Sequence, residues 1–234
     1  MIARNLAEVR RRMDAAAHRA HRTSGDIRLI AVSKTFPVED VIAAAAEGQR
    51  DFGENRVQEA LSKIDAARAA GPIDWHLIGH LQSNKAKKAA SSFAWIHSID
   101  SVELLRKIDD AAAEAGTHPN VLIQVDLAHE ATKSGADARD VPAIASAALS
   151  GRAVRLAGLM IVPPIAADPE EARPWFRQLR ELRDQLIAGG IPAAALHELS
   201  MGMSHDFEVA IEEGATMVRV GSAIFGQRAH PATP

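Results

Sequence analysis

The chain contains neither cysteine nor tyrosine. Without cysteine there is no disulfide framework and no thiolate metal site. Without tyrosine one common general acid–base side chain is missing, which bears on mechanism below. An excess of either charge is also lacking: 27 Lys and Arg face 30 Asp and Glu, for a net charge of −3. With an isoelectric point near 6.4, the chain carries no electrostatic footprint for nucleic acid or an anionic membrane. No apolar run approaches the ~20 residues of a membrane span. The opening MIARNLAEVRRRMDAAAHRA has no signal-peptide core, and its Glu8 and Asp14 argue against an acid-poor transit peptide. It reads as an amphipathic first helix, and the chain as a soluble cytoplasmic protein.

What is present is a 47% hydrophobic share over 234 residues, enough for a sizeable core. Short apolar runs alternate with longer amphipathic ones. Strands are expected near Ile27–Ser33, Arg50–Gly53, Trp75–Ile78, Trp95–Ile99, Val121–Asp126, Leu156–Val162, Leu196–Leu199 and Met217–Val220. Helices are expected from Pro37 to Gly48, Asn55 to Ala70, Val102 to Ala115, Val141 to Leu149, Pro169 to Ala188 and Asp206 to Glu213. Shorter pieces are expected near Asn84–Ala90 and after Ser222. Eight strands alternating with helices imply parallel βαβ units. A (β/α)8 barrel typically needs ~250 residues. The expected fold is therefore one TIM-type barrel domain over residues 1–234 with an extra N-terminal helix. A doubly wound open sheet is the alternative.

In a barrel the residues just after each strand share one face, where such folds build their sites. Lys34 ends the apolar run Leu29–Val32. A lysine held there is able to lose its proton and attack an aldehyde, forming a Schiff base. The structural alternative is a lysine that snorkels to water. Near the other end of the chain, Val220-Gly221-Ser222 leads from a strand into a short helix. Barrels often bind phosphate after strands seven and eight, at backbone N–H groups of a helix start. Gly221 permits close approach, Ser222 offers a hydroxyl, and Ser200 follows strand seven. A plain turn and helix cap is the competing reading. Arg219 lies between two valines inside a strand, so alternation turns it inward. It requires an acceptor there: either a carboxylate such as Glu198 or Asp126, or a ligand atom.

Five segments extend this pattern: AVSKT (31–35), DFGENRVQEA (51–60), WHLIGHLQSNK (75–85), LSMGMSHDFEVAI (199–211) and VRVGSAIFGQR (218–228). Together, and in this order, they resemble the pyridoxal 5'-phosphate (PLP) homeostasis proteins, whose barrel is shared with the N-terminal domain of alanine racemase. The resemblance implies PLP as ligand, with Lys34 as the lysine that forms the internal aldimine. It implies a phosphate cradle of Ser200, Gly221 and Ser222, and Arg219 facing the pyridine nitrogen. Asn55 matches a residue near the ring hydroxyl, Met201 and His80 match pocket wall, and Lys133 matches a second lysine implicated in PLP handling. Asp126 stands where the family more often has Asn, His205 where Asp or a small polar residue is usual, and the tail lacks a frequent tyrosine.

PLP chemistry uses the ring as an electron sink, which works best with a protonated ring nitrogen. An arginine facing that nitrogen only donates, and so weakens the sink. Racemases of this barrel compensate with a lysine and a tyrosine as two bases. A general acid–base group is worth ~100- to 10,000-fold, and here the tyrosine is absent. The expected function is a carrier or buffer of PLP that maintains vitamin B6 and amino-acid balance, with apo PLP enzymes as candidate partners. A PLP-dependent amino-acid racemase with His80 or His205 as second base is the first alternative. A Schiff-base enzyme acting on a phosphorylated sugar is the second. Metal binding is not expected: His76 and His80 are four apart on a strand end, and no HExxH motif occurs. Lys85, Lys87 and Lys88 read as a solvated face.

Overall fold

The computed structural model describes residues 1–128 and 134–227. Helix α1 (Ile2–Arg19) precedes β1 (Arg28–Val32), α2 (Val38–Ala46), β2 (Asp51–Glu54), α3 (Val57–Ala66), β3 (Asp74–Leu77) and α4 (Ala86–Ser92). Then come β4 (Trp95–Ile99), α5 (Val102–Ala115), β5 (Asn120–Gln124), α6 (Val141–Leu149), β6 (Arg155–Met160) and α7 (Arg173–Ala188). The last elements are β7 (Glu198–Met203), α8 (Phe207–Glu212), β8 (Met217–Val220) and α9 (Ser222–Phe225). Every strand pair is parallel, and β8 closes onto β1, with Ile30 opposite Arg219. The expected TIM-type barrel is therefore the observed fold, and the open sheet is excluded. Among the described residues no helix is long and apolar enough to cross a membrane.

The strands alternate between two environments. Ile30, Trp95, Leu122, Ala157, Met160 and Met217 form one apolar cluster inside the barrel. Their strand neighbours Leu29, Ala31, Ile96, Val121, Ile123 and Val218 pack outward in the larger core beneath the helices. Burial on both faces explains why these strands read as continuous apolar runs. Helix boundaries follow local chemistry. Ser101 caps α5 by accepting from the Leu104 N–H at 3.2 Å, and Gly116 ends it in the left-handed conformation at φ 66°.

Helix α1 buries Leu6, Val9, Met13, Ala16 and Ala17 on one face. It packs on α8, α9 and α2. Asn5 donates to the Ile224 carbonyl at 2.8 Å, tying α1 to α9. The extra helix thus braces the short helix that follows β8 and borders the site.

The largest departure from the sequence reading is at β7. The strand was expected over Leu196–Leu199 and runs instead over Glu198–Met203. Gly202 adopts φ 91° within it, and the register with β8 shifts between Ser200 and Met203. A Cβ at Gly202 would lie 2.5 Å from the Ala210 Cβ, so the kink and the packing of α8 both need glycine.

Candidate functional site

A cavity of about 250 Å3 opens at the C-terminal ends of β1, β7 and β8. Lys34, Arg219, Gly221 and Ser222 all line it, together with Phe36, Met203, Ser204 and His205. Residues from both ends of the chain meet here because β1 and β8 are neighbours.

Lys34 lies just beyond β1, where alternation gives Val32 to the cavity side and Ser33 to the outer side. The Ser33 hydroxyl donates to Glu54 Oε1 at 2.6 Å. Lys63, on α3, donates to the Ser33 carbonyl at 2.8 Å, to Glu54 at 2.8 Å and to Glu59 at 2.9 Å. On the other side of Lys34, Thr35 adopts φ 68°, an unfavourable value for a β-branched residue. Glu59 holds it there by accepting the Thr35 N–H at 2.6 Å. The Lys34 backbone is thus clamped from both sides by one buried ion cluster. Burial pushes the Glu54 carboxyl up despite Lys63. At Glu59, burial is outweighed by Lys63 and the Thr35 N–H, which hold its carboxyl low.

Arg219 is buried and lines the floor of the cavity. It donates through Nη1 to Ser200 Oγ at 2.6 Å and through Nη2 to the Ile161 carbonyl at 2.8 Å. Neither Glu198 nor Asp126 is its partner; Glu198 accepts from Thr216. Burial lowers its pKa to about 10, with Asp206 opposing, so it stays cationic at neutral pH. Beneath it, His97 Nδ1 lies 2.9 Å from Ser200 Oγ, His97 Nε2 lies 3.0 Å from His76 Nδ1, and His76 Nε2 lies 3.0 Å from Asp51 Oδ1. Trp95 stacks on His76 at 5.6 Å, and the Arg28 guanidinium sits 5.2 Å over the Trp95 ring.

Around the expected phosphate cradle the side chains lie otherwise than the sequence suggests. Ser200 is fully buried, and its hydroxyl is engaged by Arg219 and His97, so it does not line the cavity. Met201 is turned outward into the core beneath the helices. The kink at Gly202 brings Met203 and Ser204 to the cavity instead. The Ser204 hydroxyl accepts from the Gly221 N–H at 3.0 Å and the Ala223 N–H at 3.5 Å. A Cβ at Gly221 would lie 3.2 Å from the Val32 carbonyl, which keeps this crossing tight.

Asn55 and His80 are not in this cavity. They line a neighbouring hollow at the ends of β2 and β3 with Arg56, Gln82 and Lys85. His80 Nδ1 is 3.6 Å from Asp100. Lys133 lies outside the described residues. No group of three His, Asp or Glu able to hold a metal occurs among the described residues. Met203 and Ser204 carried no signal in the sequence beyond their place in the MGMS segment. In the sequence His76 reads only as a candidate metal ligand, and His97 has no signal of its own.

The barrel, its strand-end lysine and its inward arginine define a class: the alanine racemase N-terminal domain type, whose family model matches residues 4–229. Within that class several relatives share one description. A pyridoxal phosphate homeostasis protein of Pseudomonas aeruginosa is 45% identical over 97% of this chain and 96% of its own. One from Escherichia coli is 41% identical over 97% of each. The chain belongs to the pyridoxal phosphate homeostasis protein family. PipY of Synechococcus elongatus, solved without PLP, superposes with a TM-score of 0.87 at 40% identity, covering 97% of this chain and 100% of that one. PipY solved with PLP bound gives 0.85 at 39% identity, with the same coverage. Alanine racemase of Corynebacterium glutamicum, at 20% identity and a TM-score of 0.69, shares the fold; this chain covers 61% of its length.

Proposed function

We propose that this protein binds PLP reversibly in the cavity and carries or buffers it in the cytoplasm for apo forms of PLP-dependent enzymes. The observation that carries this reading is the convergence of Lys34, Arg219, Gly221 and Ser222 on one cavity of about 250 Å3. The donor set fits the ligand end to end. The Ser204 and Ser222 hydroxyls suit a phosphate, and Lys34 suits an aldehyde, with which it forms a Schiff base. Val32, Phe36 and Ile78 give an apolar wall to a flat ring. Arg219 offers N–H groups to the ring nitrogen. PLP bound to the relative PipY supports the same assignment.

Two features favour carriage over turnover. Arg219 has no proton acceptor role and leaves the ring nitrogen unprotonated, which weakens the electron sink. Among the described residues the cavity also lacks an evident second base: the chain has no tyrosine, His80 lies in the neighbouring hollow, and His205 Nε2 bonds the Ala167 carbonyl at 3.0 Å. The test pairs two assays on PLP-loaded protein. Transfer of PLP to an apo-enzyme is expected, with negligible racemisation or transamination of amino acids. Turnover of an amino acid at ~1–1,000 per second would replace the carrier with a racemase.

A further inference from the structure

We propose that Ser200 and His97 are positioning residues for Arg219. A one-way chain of hydrogen bonds, Arg219 to Ser200 to His97 to His76 to Asp51, sets the plane of the guanidinium and aims its remaining N–H groups into the cavity.

The direction follows from the two ends. Asp51 is the first residue of β2 and also accepts from Arg28 at 2.8 Å. Burial, which would raise its carboxyl, is outweighed by His76 and Arg28, so it remains an acceptor only. His76 must therefore present Nε2–H to it. Burial disfavours a second proton on His76, against the pull of Asp51 and Asp74 and with Arg28 nearby. Its Nδ1 is then an acceptor, and His97 must donate Nε2–H to it. Burial, His76, Arg219 and Arg28 all keep His97 neutral, so its Nδ1 accepts in turn. The proton on that bond belongs to Ser200. At the other end Arg219 has only donors, and Ser200 Oγ receives Nη1–H at 2.6 Å. Each member between the two charged ends donates once along the line and accepts once from it. Reversing any link would put two donors or two acceptors face to face in a sealed interior.

The chain joins β8, β7, β4, β3 and β2 through the barrel, from the cavity floor to the opposite end. With Nη1 and Nη2 each anchored, the guanidinium cannot rotate, and two of its five N–H groups are used. The others are held in fixed directions beside the cavity that Arg219 lines. Arg219 thus acts as a preset donor, with Asp206 as the nearby counter-charge.

The first test needs no ligand. Long-range proton–nitrogen spectra of the cofactor-free protein should show His76 and His97 both protonated at Nε2 and not titrating between ~pH 5 and 8. An Nδ1–H tautomer at either ring, or titration in that window, overturns the chain. The second test rests on the proposed function and uses PLP-loaded protein. His97→Leu should move the pH at which the visible band titrates and weaken PLP binding ~10-fold. His97→Gln should restore both, because its amide oxygen accepts from Ser200 and its NH2 donates to His76. A lower melting temperature with an unmoved band and affinity would make His97 merely structural and overturn the proposal. Should His97→Leu fail to fold, Ser200→Ala carries the same expectations. If the wild-type protein takes up no PLP, the proposed function fails, while the ring tautomers still decide the chain.

Discussion

Two lysines stand on either side of the same strand end. Lys63 lies outside the barrel wall, with its side chain 8% exposed against a Glu54 side chain at 0%. Its ammonium meets three acceptors, Ser33, Glu54 and Glu59, which match its three protons. Such a lysine holds structure. Lys34 lies on the inner side, among the residues that line the cavity. The chemistry of a lysine here depends on which face of β1 it serves. The outer lysine also serves the inner one, because its cluster clamps Ser33 and Thr35 on either side of Lys34.

Breaking the inner side should have the largest effect. Lys34→Ala should abolish the borohydride-fixed PLP adduct, which in the wild-type protein should map to the Lys34 peptide. An adduct mapping only to another lysine would reverse the roles assigned here. On the outer side, Lys63→Met leaves Glu54 buried without its cation and should cost ~3–5 kcal/mol of stability, read from denaturant midpoints. The sign of its pH dependence is set. Burial already raises the Glu54 carboxyl, and losing Lys63 raises it further. A raised carboxyl contributes stability below its unfolded value of ~4.3 and loses it as pH rises through the folded value. The deficit relative to wild type should therefore be smaller near ~pH 5 than near ~pH 8. A deficit that shrinks with rising pH would break the comparison. The smallest effect sharpens the inner side. Ser204→Ala removes one hydroxyl at the phosphate end and should weaken PLP by roughly ten- to a hundred-fold, for ~1.5–3 kcal/mol. Pyridoxal, which lacks the phosphate, should be nearly unaffected. Equal losses for the two ligands would remove Ser204 from the cradle.

The barrel was legible because its strands are apolar on both faces and its helices carry one apolar face. Boundaries held to within a residue or two at most strands. Lys34, Arg219, Gly221 and Ser222 were legible because each follows or ends a regular strand, where alternation holds. The same rule puts Ser200 and Met201 at the site, but β7 runs on to Met203, so Ser200 lies deeper in the barrel and Met201 alternates outward; only after them does Gly202 break the alternation. A glycine inside a strand signals such a break but not its direction. The outer cluster was illegible for a different reason. Lys63 sits in an ordinary amphipathic helix, and only the closing of α3 over β2 brings it to Glu54. His97 likewise reads as one polar residue in an apolar strand until β4 and β7 face each other across the barrel.

Trp95 has a consequence for how the interior is observed. Its indole packs against both Arg28 and His76, inside the barrel, while Trp75 packs outward and Trp175 is only partly buried. Indole emission responds to nearby charge and to any absorber within reach. The chain therefore carries a fluorophore built against its hydrogen-bonded interior, in ring contact with His76 and His97. Filling of the cavity and disturbance of the histidines beneath it become optical events, readable without a label.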